Sequence, residues 1–296
     1  MSLAPIAAFV HARPAHTRRM IESLQANPAA RASDLFVFAD APKKPEQAQA
    51  VRDVREFMRG IEGFASVTLV EREQNLGLSG SITDGITRLC AEHGRVIAVE
   101  DDLVVAPGFL EFLNRGLDRY ANAEQVFQIS GYMYPGRYSE REAFFLPMIS
   151  CWGWATWKRA WAHYDGKMSG YAQLTADENL RRRFNLNGAY DYFSMASQQY
   201  NQSLDSWGIR WHLSVFLKDG LVLYPPTSLV QNAGTDGSGT HGAGHAQLQR
   251  ALENGSADIQ LPDRIATDEE KLGQVESLLR SMKPNLVRRV VSWLRH

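Results

Sequence analysis

The chain has 296 residues, 44% of them hydrophobic and 10% aromatic, which is enough for a sizeable core in one large domain or two lobes. With 32 Lys and Arg against 33 Asp and Glu, the formal charge is −1, so no global field steers nucleic acid or another polyanion. Two cysteines, Cys90 and Cys151, exclude a disulfide framework, and no apolar run approaches the ~20 residues of a membrane helix. The opening "MSLAPIAAFVHARP" has no basic stretch before its apolar run, so no signal peptide is read there. The expectation is a soluble cytoplasmic α/β protein.

Taken in chain order, the first hundred residues alternate two periods. "PIAAFV" reads as a strand, and "HTRRMIESLQANP" places Met20, Ile21 and Leu24 on one helical face before Pro28. "DLFVFAD" is the next strand. "PEQAQAVRDVREFMRG" opens on Pro45, suited to a first helical turn, and lines up Val51, Val54 and Met58 before Gly60. "SVTLV" is a third strand; Leu78, Ile82, Ile86 and Leu89 mark a third helix; "RVIAV" is a fourth strand. Strands written as continuous apolar runs indicate a mostly parallel sheet buried on both faces. Pro107 then opens a further helix, "PGFLEFLNRGLDRY".

The texture changes near residue 130, which divides the chain into 1–130, 131–250 and 251–296. Tyr132, Tyr134 and Tyr138 lead into "CWGWATWKRAW", followed by helical "AYDYFSMASQQYNQ" and "LDSWGIRWHLSVFLKDG". A strand "LVLYPP" and the glycine-rich "NAGTDGSGTHGAGH" come next. Beyond 250 the chain reads as polar until "NLVRRVVSWLRH". There Leu286, Val287, Val290, Val291 and Leu294 share a face, with Arg288, Arg289 and Arg295 around it. That face suits packing on the domain or a peripheral membrane contact.

The chemistry concentrates in "VIAVEDDLVVAPGFL". Glu100, Asp101 and Asp102 follow a buried strand directly, and adjacent carboxylates raise one another's pKa unless a cation or donors compensate. In an open α/β sheet the ligand crevice lies beyond the carboxyl ends of the strands. "HARP" (His11, Arg13), "DAP" (Asp40) and "EDD" all fall there. Such an acid cluster suits Mg²⁺ or Mn²⁺, hard cations that share oxygen ligands with phosphate; a solvated turn is the alternative.

"VEDDLVVAPGFL" resembles the metal-binding acidic motif of GT-A glycosyltransferases, especially those similar to N-acetylglucosaminyltransferase I. "AFVHARPAHTRRMIESL" looks like the opening of that group, and "REQNLGLSGSITDGI" like its Asn-x-Gly segment. "DSWGIRWHLSVF" with "GTDGSGTHG" is similar to bacterial members that build cell-surface polysaccharides. The likeness spans roughly residues 5 to 245. It implies a GT-A-like, Rossmann-type, mostly parallel central sheet flanked by helices, with the acceptor-binding half C-terminal.

The resemblance also implies a nucleotide-sugar donor, a UDP-sugar before others, a bound Mn²⁺ or Mg²⁺, and transfer to a saccharide or lipid-linked acceptor. Asp102 would hold the metal at the diphosphate, and Glu100 and Asp101 would face the donor's sugar and ribose. Asp40 would meet the base, with His11, Arg13 and Asn75 in the donor-binding set. Arg13 as a surface arginine and Asp40 as a turn acid before Pro42 are the bland alternatives. For an inverting transfer Asp205 takes the position of the general base, or simply caps the helix that follows; Asp191 is the reserve. His241 would complete the metal shell from a glycine-rich lid, unless that segment is an ordinary turn. Of the tryptophans at 152, 154, 157 and 161, Trp154 is the candidate for stacking on a sugar, and core packing is the alternative for each. A sugar-nucleotide nucleotidyltransferase is disfavoured because no basic glycine-rich loop follows the first strand. An inactive carbohydrate-binding protein stays open.

Overall fold

A computed structural model describes residues 3–136, 138, 141–234, 248, 252 and 258–282. The N-terminal part alternates β1 (Ile6–Val10), α1 (Pro14–Gln25), β2 (Asp34–Ala39), α2 (Ala48–Arg59), β3 (Ser66–Glu71), α3 (Gly77–His93) and β4 (Arg95–Glu100). A short β5 (Leu103–Val105) leads to α4 (Phe109–Arg119), β6 (Val126–Ser130), β7 (Phe144–Leu146) and β8 (Trp154–Trp157). The helices α5 (Lys158–Trp161), α6 (Tyr171–Ala176), α7 (Glu178–Phe184), α8 (Tyr192–Tyr200) and α9 (Trp207–Phe216) follow. Two strands, β9 (Leu221–Tyr224) and β10 (Val230–Asn232), and α10 (Glu269–Met282) complete the described chain.

One eight-stranded sheet, in the order β3-β2-β1-β4-β8-β6-β9-β7, crosses residue 130 without a break. Pairing is parallel from β3 through β4, and only β8 and β7 run against the rest. The expected mostly parallel α/β sheet flanked by helices is the fold observed. β1 is buried along its whole length, whereas β3, at the sheet's edge, is partly exposed instead of covered on both faces.

The helices bury the stripes their spacing predicts: Met20, Ile21 and Leu24 in α1, and Val51, Val54 and Met58 in α2. In α3, Ile82, Ile86 and Leu89 are buried and Gly85 is the point of closest approach. A Cβ there would stand 2.7 Å from the Phe9 ring. Leu78, expected on the same buried face, is 50% exposed, because the first turn of α3 stands level with Asp40, beyond the end of β2. A second, smaller core joins α6 to α9 through Met168, Leu174, Phe184, Ala196, Ile209 and Leu213. The stretch beyond 250 is not uniformly polar in role: α10 buries Leu272, Val275 and Leu279.

Candidate active site

From β1 the chain passes to β2 on one side, while β4 pairs with β1 on the other. The order therefore reverses between β1 and β4, which opens a crevice at their carboxyl ends. His11 and Arg13 leave β1 into that crevice, and Asp101 and Asp102 leave β4 into it.

The acids are compensated by Arg13. Its Nη1 donates to Asp102 Oδ2 at 3.1 Å and to Asp101 Oδ1 at 3.4 Å, and the His11 backbone N–H donates to Asp101 Oδ2 at 3.3 Å. The three side chains are only 19%, 11% and 21% exposed for Arg13, Asp101 and Asp102, so this is a largely desolvated ion cluster. One arginine does not neutralise three acids. Burial, then the charge of Asp102, pushes the Asp101 carboxyl up to about 7 against the pull of Arg13. Burial of its carboxyl, with Asp102 and Asp101 beside it, holds Glu100 well above the usual carboxylate range. The cluster stores negative charge that a further cation would relieve.

A second strand pair closes the site. β10 pairs antiparallel with β5, Asn232 opposite Leu103, and the Ala233 N–H donates to the Asp102 carbonyl at 2.7 Å. The chain then passes over Asp102 so closely that a Cβ at Gly234 would stand 2.5 Å from Asp102 Oδ2 and 3.1 Å from Arg13 Nη2. Only glycine fits that crossing. His241, the expected further metal ligand, lies outside the described residues.

Asp40 is 5% exposed, and all its acceptor sites are filled. Oδ1 accepts from the N–H groups of Ala41 and Leu76 at 2.9 and 3.0 Å; Oδ2 accepts from the Gly77 N–H at 2.9 Å and from Asn75 Nδ2 at 3.1 Å. In place of offering an oxygen to a base, the carboxylate ties the end of β2 to the first turn of α3. Asn75 Nδ2 also donates to the Ala41 carbonyl at 2.6 Å, and His11 Nε2 to the same oxygen at 3.0 Å. Asp40, Asn75 and His11 thus form one framework beside the acids.

The candidates from the second half separate cleanly. Trp154 is 1% exposed and stacked against Trp207 at 5.1 Å, so it cannot lie against a ligand. Its position in β8, between β4 and β6, turns it into the core. Trp157 and Trp161 are buried too, and Trp152 is only partly covered. Asp191 caps α8 through the Ser194 N–H. Asp205 is not the cap of α9; Ser206 is, accepting from the Ile209 N–H. Asp205 is instead 64% exposed, with Oδ1 held at 3.0 Å by Arg210, whose Nη1 reaches Ser79 Oγ on α3 at 3.0 Å. Ser79 is two residues from Gly77, so the first turn of α3 carries both the Arg210–Asp205 pair and the Asp40 framework.

No family model matches the chain, and no curated protein matches it by sequence. Among solved structures, the S. aureus TarS 1-349 crystal structure is similar over 75% of this chain and 57% of its own, at 11% identity and a TM-score of 0.40. A longer S. aureus TarS structure aligns with half of this chain but only 25% of its own length, at 11% identity and a TM-score of 0.32. The mannosyltransferase PcManGT from Pyrobaculum calidifontis, in complex with GDP-Man and Mn²⁺, is similar over 73% of each chain, at 11% identity and a TM-score of 0.38.

Among the described residues, no group of three His, Cys, Asp or Glu side chains could cage a metal by itself. The donor set fits the other mode, in which one or two carboxylates bind Mg²⁺ or Mn²⁺ together with a ligand's phosphates. Asp102 and Asp101 stand side by side just past the carboxyl end of β4 with one shared guanidinium, a carboxylate pair of the kind that mode requires. Among the described residues, no helix is long and apolar enough to cross a membrane.

Proposed function

We propose that the chain is a glycosyltransferase that takes a sugar from a nucleotide-diphosphate donor, a UDP-sugar before others, and joins it to an acceptor hydroxyl. The observation that carries this reading is the partly neutralised Asp101–Asp102 pair at the β1/β4 switch point, facing Arg13 and walled by the Asp40–Asn75–His11 framework. An acid pair sharing one arginine suits a diphosphate that arrives with its own divalent cation. Asp102, with Asp101, would hold Mn²⁺ or Mg²⁺; when bound, the ion neutralises charge on the departing diphosphate. Arg13, released from the acids by the cation, would be free to clamp phosphate oxygens as a fork. Glu100, next to the pair, can hydrogen-bond a hydroxyl of the donor's sugar or ribose.

Asp205 supplies the general base. Arg210 fixes one of its oxygens, and the other has no partner among the described residues, so it can take the acceptor's proton. The acceptor oxygen then bonds to the anomeric carbon, the bond from that carbon to the diphosphate breaks, and the nucleoside diphosphate leaves with the electron pair. A single base of this kind fits inversion at that carbon. The acceptor is a saccharide or a lipid-linked saccharide, in keeping with bacterial surface polysaccharide synthesis at the cytoplasmic face of a membrane. The amphipathic 286–294 segment, which would make that membrane contact, lies outside the described residues.

The test is a panel of nucleotide sugars, with Mn²⁺, assayed for donor binding and for release of nucleoside diphosphate. Asp205→Asn is expected to keep donor binding and lose transfer. Normal transfer by Asp205→Asn would remove the base assignment.

A further inference from the structure

The outward side of α3 forms one wall of a cleft of about 450 Å³, separate from the acid cluster. That volume falls within the range of small-molecule sites. Leu76, Gly80, Thr83 and Thr87 run up the wall at helical spacing, where a solvated helix would ordinarily carry long charged side chains. Two of these groups are fixed from behind. Thr87 Oγ1 accepts from Trp161 Nε1 at 2.9 Å, and Thr83 Oγ1 pairs with the Tyr164 hydroxyl at 3.3 Å. Trp161 and Tyr164 are themselves stacked at 4.4 Å, so the wall is rigid. The Ser79–Arg210–Asp205 chain closes the cleft at one end.

The chemistry of the lining selects the ligand. Hydroxyls from Ser79, Thr83 and Thr87 stand among the carboxylates of Asp84 and Asp205 and one guanidinium that is already paired. Each carboxylate is paired with an arginine, Asp84 with Arg72 and Asp205 with Arg210, so the lining carries no surplus positive charge to hold a phosphate. The alternation of donors and acceptors suits a neutral polyhydroxyl ligand. At the mouth Leu76 is 44% exposed, an apolar surface for the C–H face of a sugar ring. The Asp205 oxygen that no described residue binds belongs to the same lining.

We propose that this cleft binds the acceptor saccharide, with Ser79 and Arg210 as positioning residues for Asp205. The proposal rests on the glycosyltransferase reading for its role, and on the lining alone for its ligand class.

Gly80→Phe tests it, because Gly80 lines the cleft and a Cβ there meets only Leu76 Cβ, at 3.3 Å, so the substitution adds a ring to the lining. The probes are the methyl glycosides of glucose, galactose, mannose and N-acetylglucosamine, followed by saturation-transfer NMR. The Leu76, Thr83 and Thr87 methyl resonances of the wild type are recorded alongside, and UDP binding with Mn²⁺ is measured in parallel. The expected result is that at least one glycoside binds the wild type and shifts those methyls. In folded Gly80→Phe that binding weakens at least ~tenfold while UDP binding is unchanged. Absence of glycoside binding, shifts confined to other methyls, or wild-type binding by folded Gly80→Phe would overturn it. The wild-type methyl shifts decide the matter if Gly80→Phe does not fold. Glycoside binding here without any UDP binding would sink the transferase reading and leave a saccharide cleft; UDP binding without glycoside binding would do the reverse.

Discussion

Replacing Arg13 with methionine keeps much of the apolar stem and removes the only guanidinium recorded against Asp101 and Asp102 among the described residues. Breaking a buried ion pair from one side typically costs ~3–5 kcal/mol, because the remaining charge is stranded. With the partners 11–21% exposed, water recovers part of that, so a loss of about 3 kcal/mol is expected at about pH 8. The loss must depend on pH. Asp101 titrates near 7 in the folded chain, well above its unfolded value, so the native state favours its protonated form and loses stability as pH rises towards 7. Arg13 offsets that loss; without it Asp101 moves higher still, and the decline with pH steepens. Urea denaturation of both proteins at about pH 5.5 and about pH 8 should give a difference that is larger by ~1 kcal/mol at the higher pH, because the two proteins' Asp101 titrations diverge only above about 7. A difference under ~1 kcal/mol at about pH 8, or one that does not change with pH, would refute Arg13 as the counter-ion of the acids.

Asp40→Ala strands the N–H groups of Ala41, Leu76 and Gly77 and the Asn75 amide, at ~1–3 kcal/mol for each donor left unsatisfied. Several kcal/mol of lost stability and faster amide exchange at Leu76 and Gly77 are expected; wild-type protection there would contradict the framework role. His212 is buried against Phe184 and Tyr192, and burial lowers its pKa to about 4. Because the ring stays neutral in the native state, stability should fall by about 3 kcal/mol between about pH 6.5 and about pH 4, and His212→Gln should flatten that fall. Parallel stability curves for the two proteins would exclude it. Gly234→Ala drives a methyl group into Asp102 Oδ2, so the melting temperature should fall and donor binding with Mn²⁺ by the folded variant should weaken at least ~tenfold. Unchanged binding would mean that Asp102 does not face the ligand.

What was legible in the sequence was what depends on local period. Apolar runs ending in His11, Asp40 and Glu100 announced strands whose polar ends share one edge, and the helical stripes of α1 and α2 followed from spacing alone. The Arg13–Asp102 pair was not legible, because nothing local says that the ends of β1 and β4 are neighbours. Gly234 was hidden for a similar reason: β5 and β10 are three residues each and have meaning only as a pair. Among the clustered tryptophans, spacing could not show that β8 lies between β4 and β6, which is what seals Trp154. Asp205 and Ser206 are both good caps, and only the backbone shows that Ser206 takes the task and leaves Asp205 to Arg210. α10 passed as polar because its charged residues outnumber the three apolar ones that it buries.

The central claim is that the crevice at Asp101 and Asp102 binds a nucleotide-diphosphate sugar together with a divalent cation. Titration calorimetry of UDP- and GDP-sugars with Mn²⁺, on wild type and Asp102→Ala, tests it directly. The account predicts binding of at least one donor by the wild type, abolished by chelation of the metal and weakened at least ~tenfold in a folded Asp102→Ala. Failure of every donor to bind in the presence of Mn²⁺, or equal binding by Asp102→Ala, would contradict it.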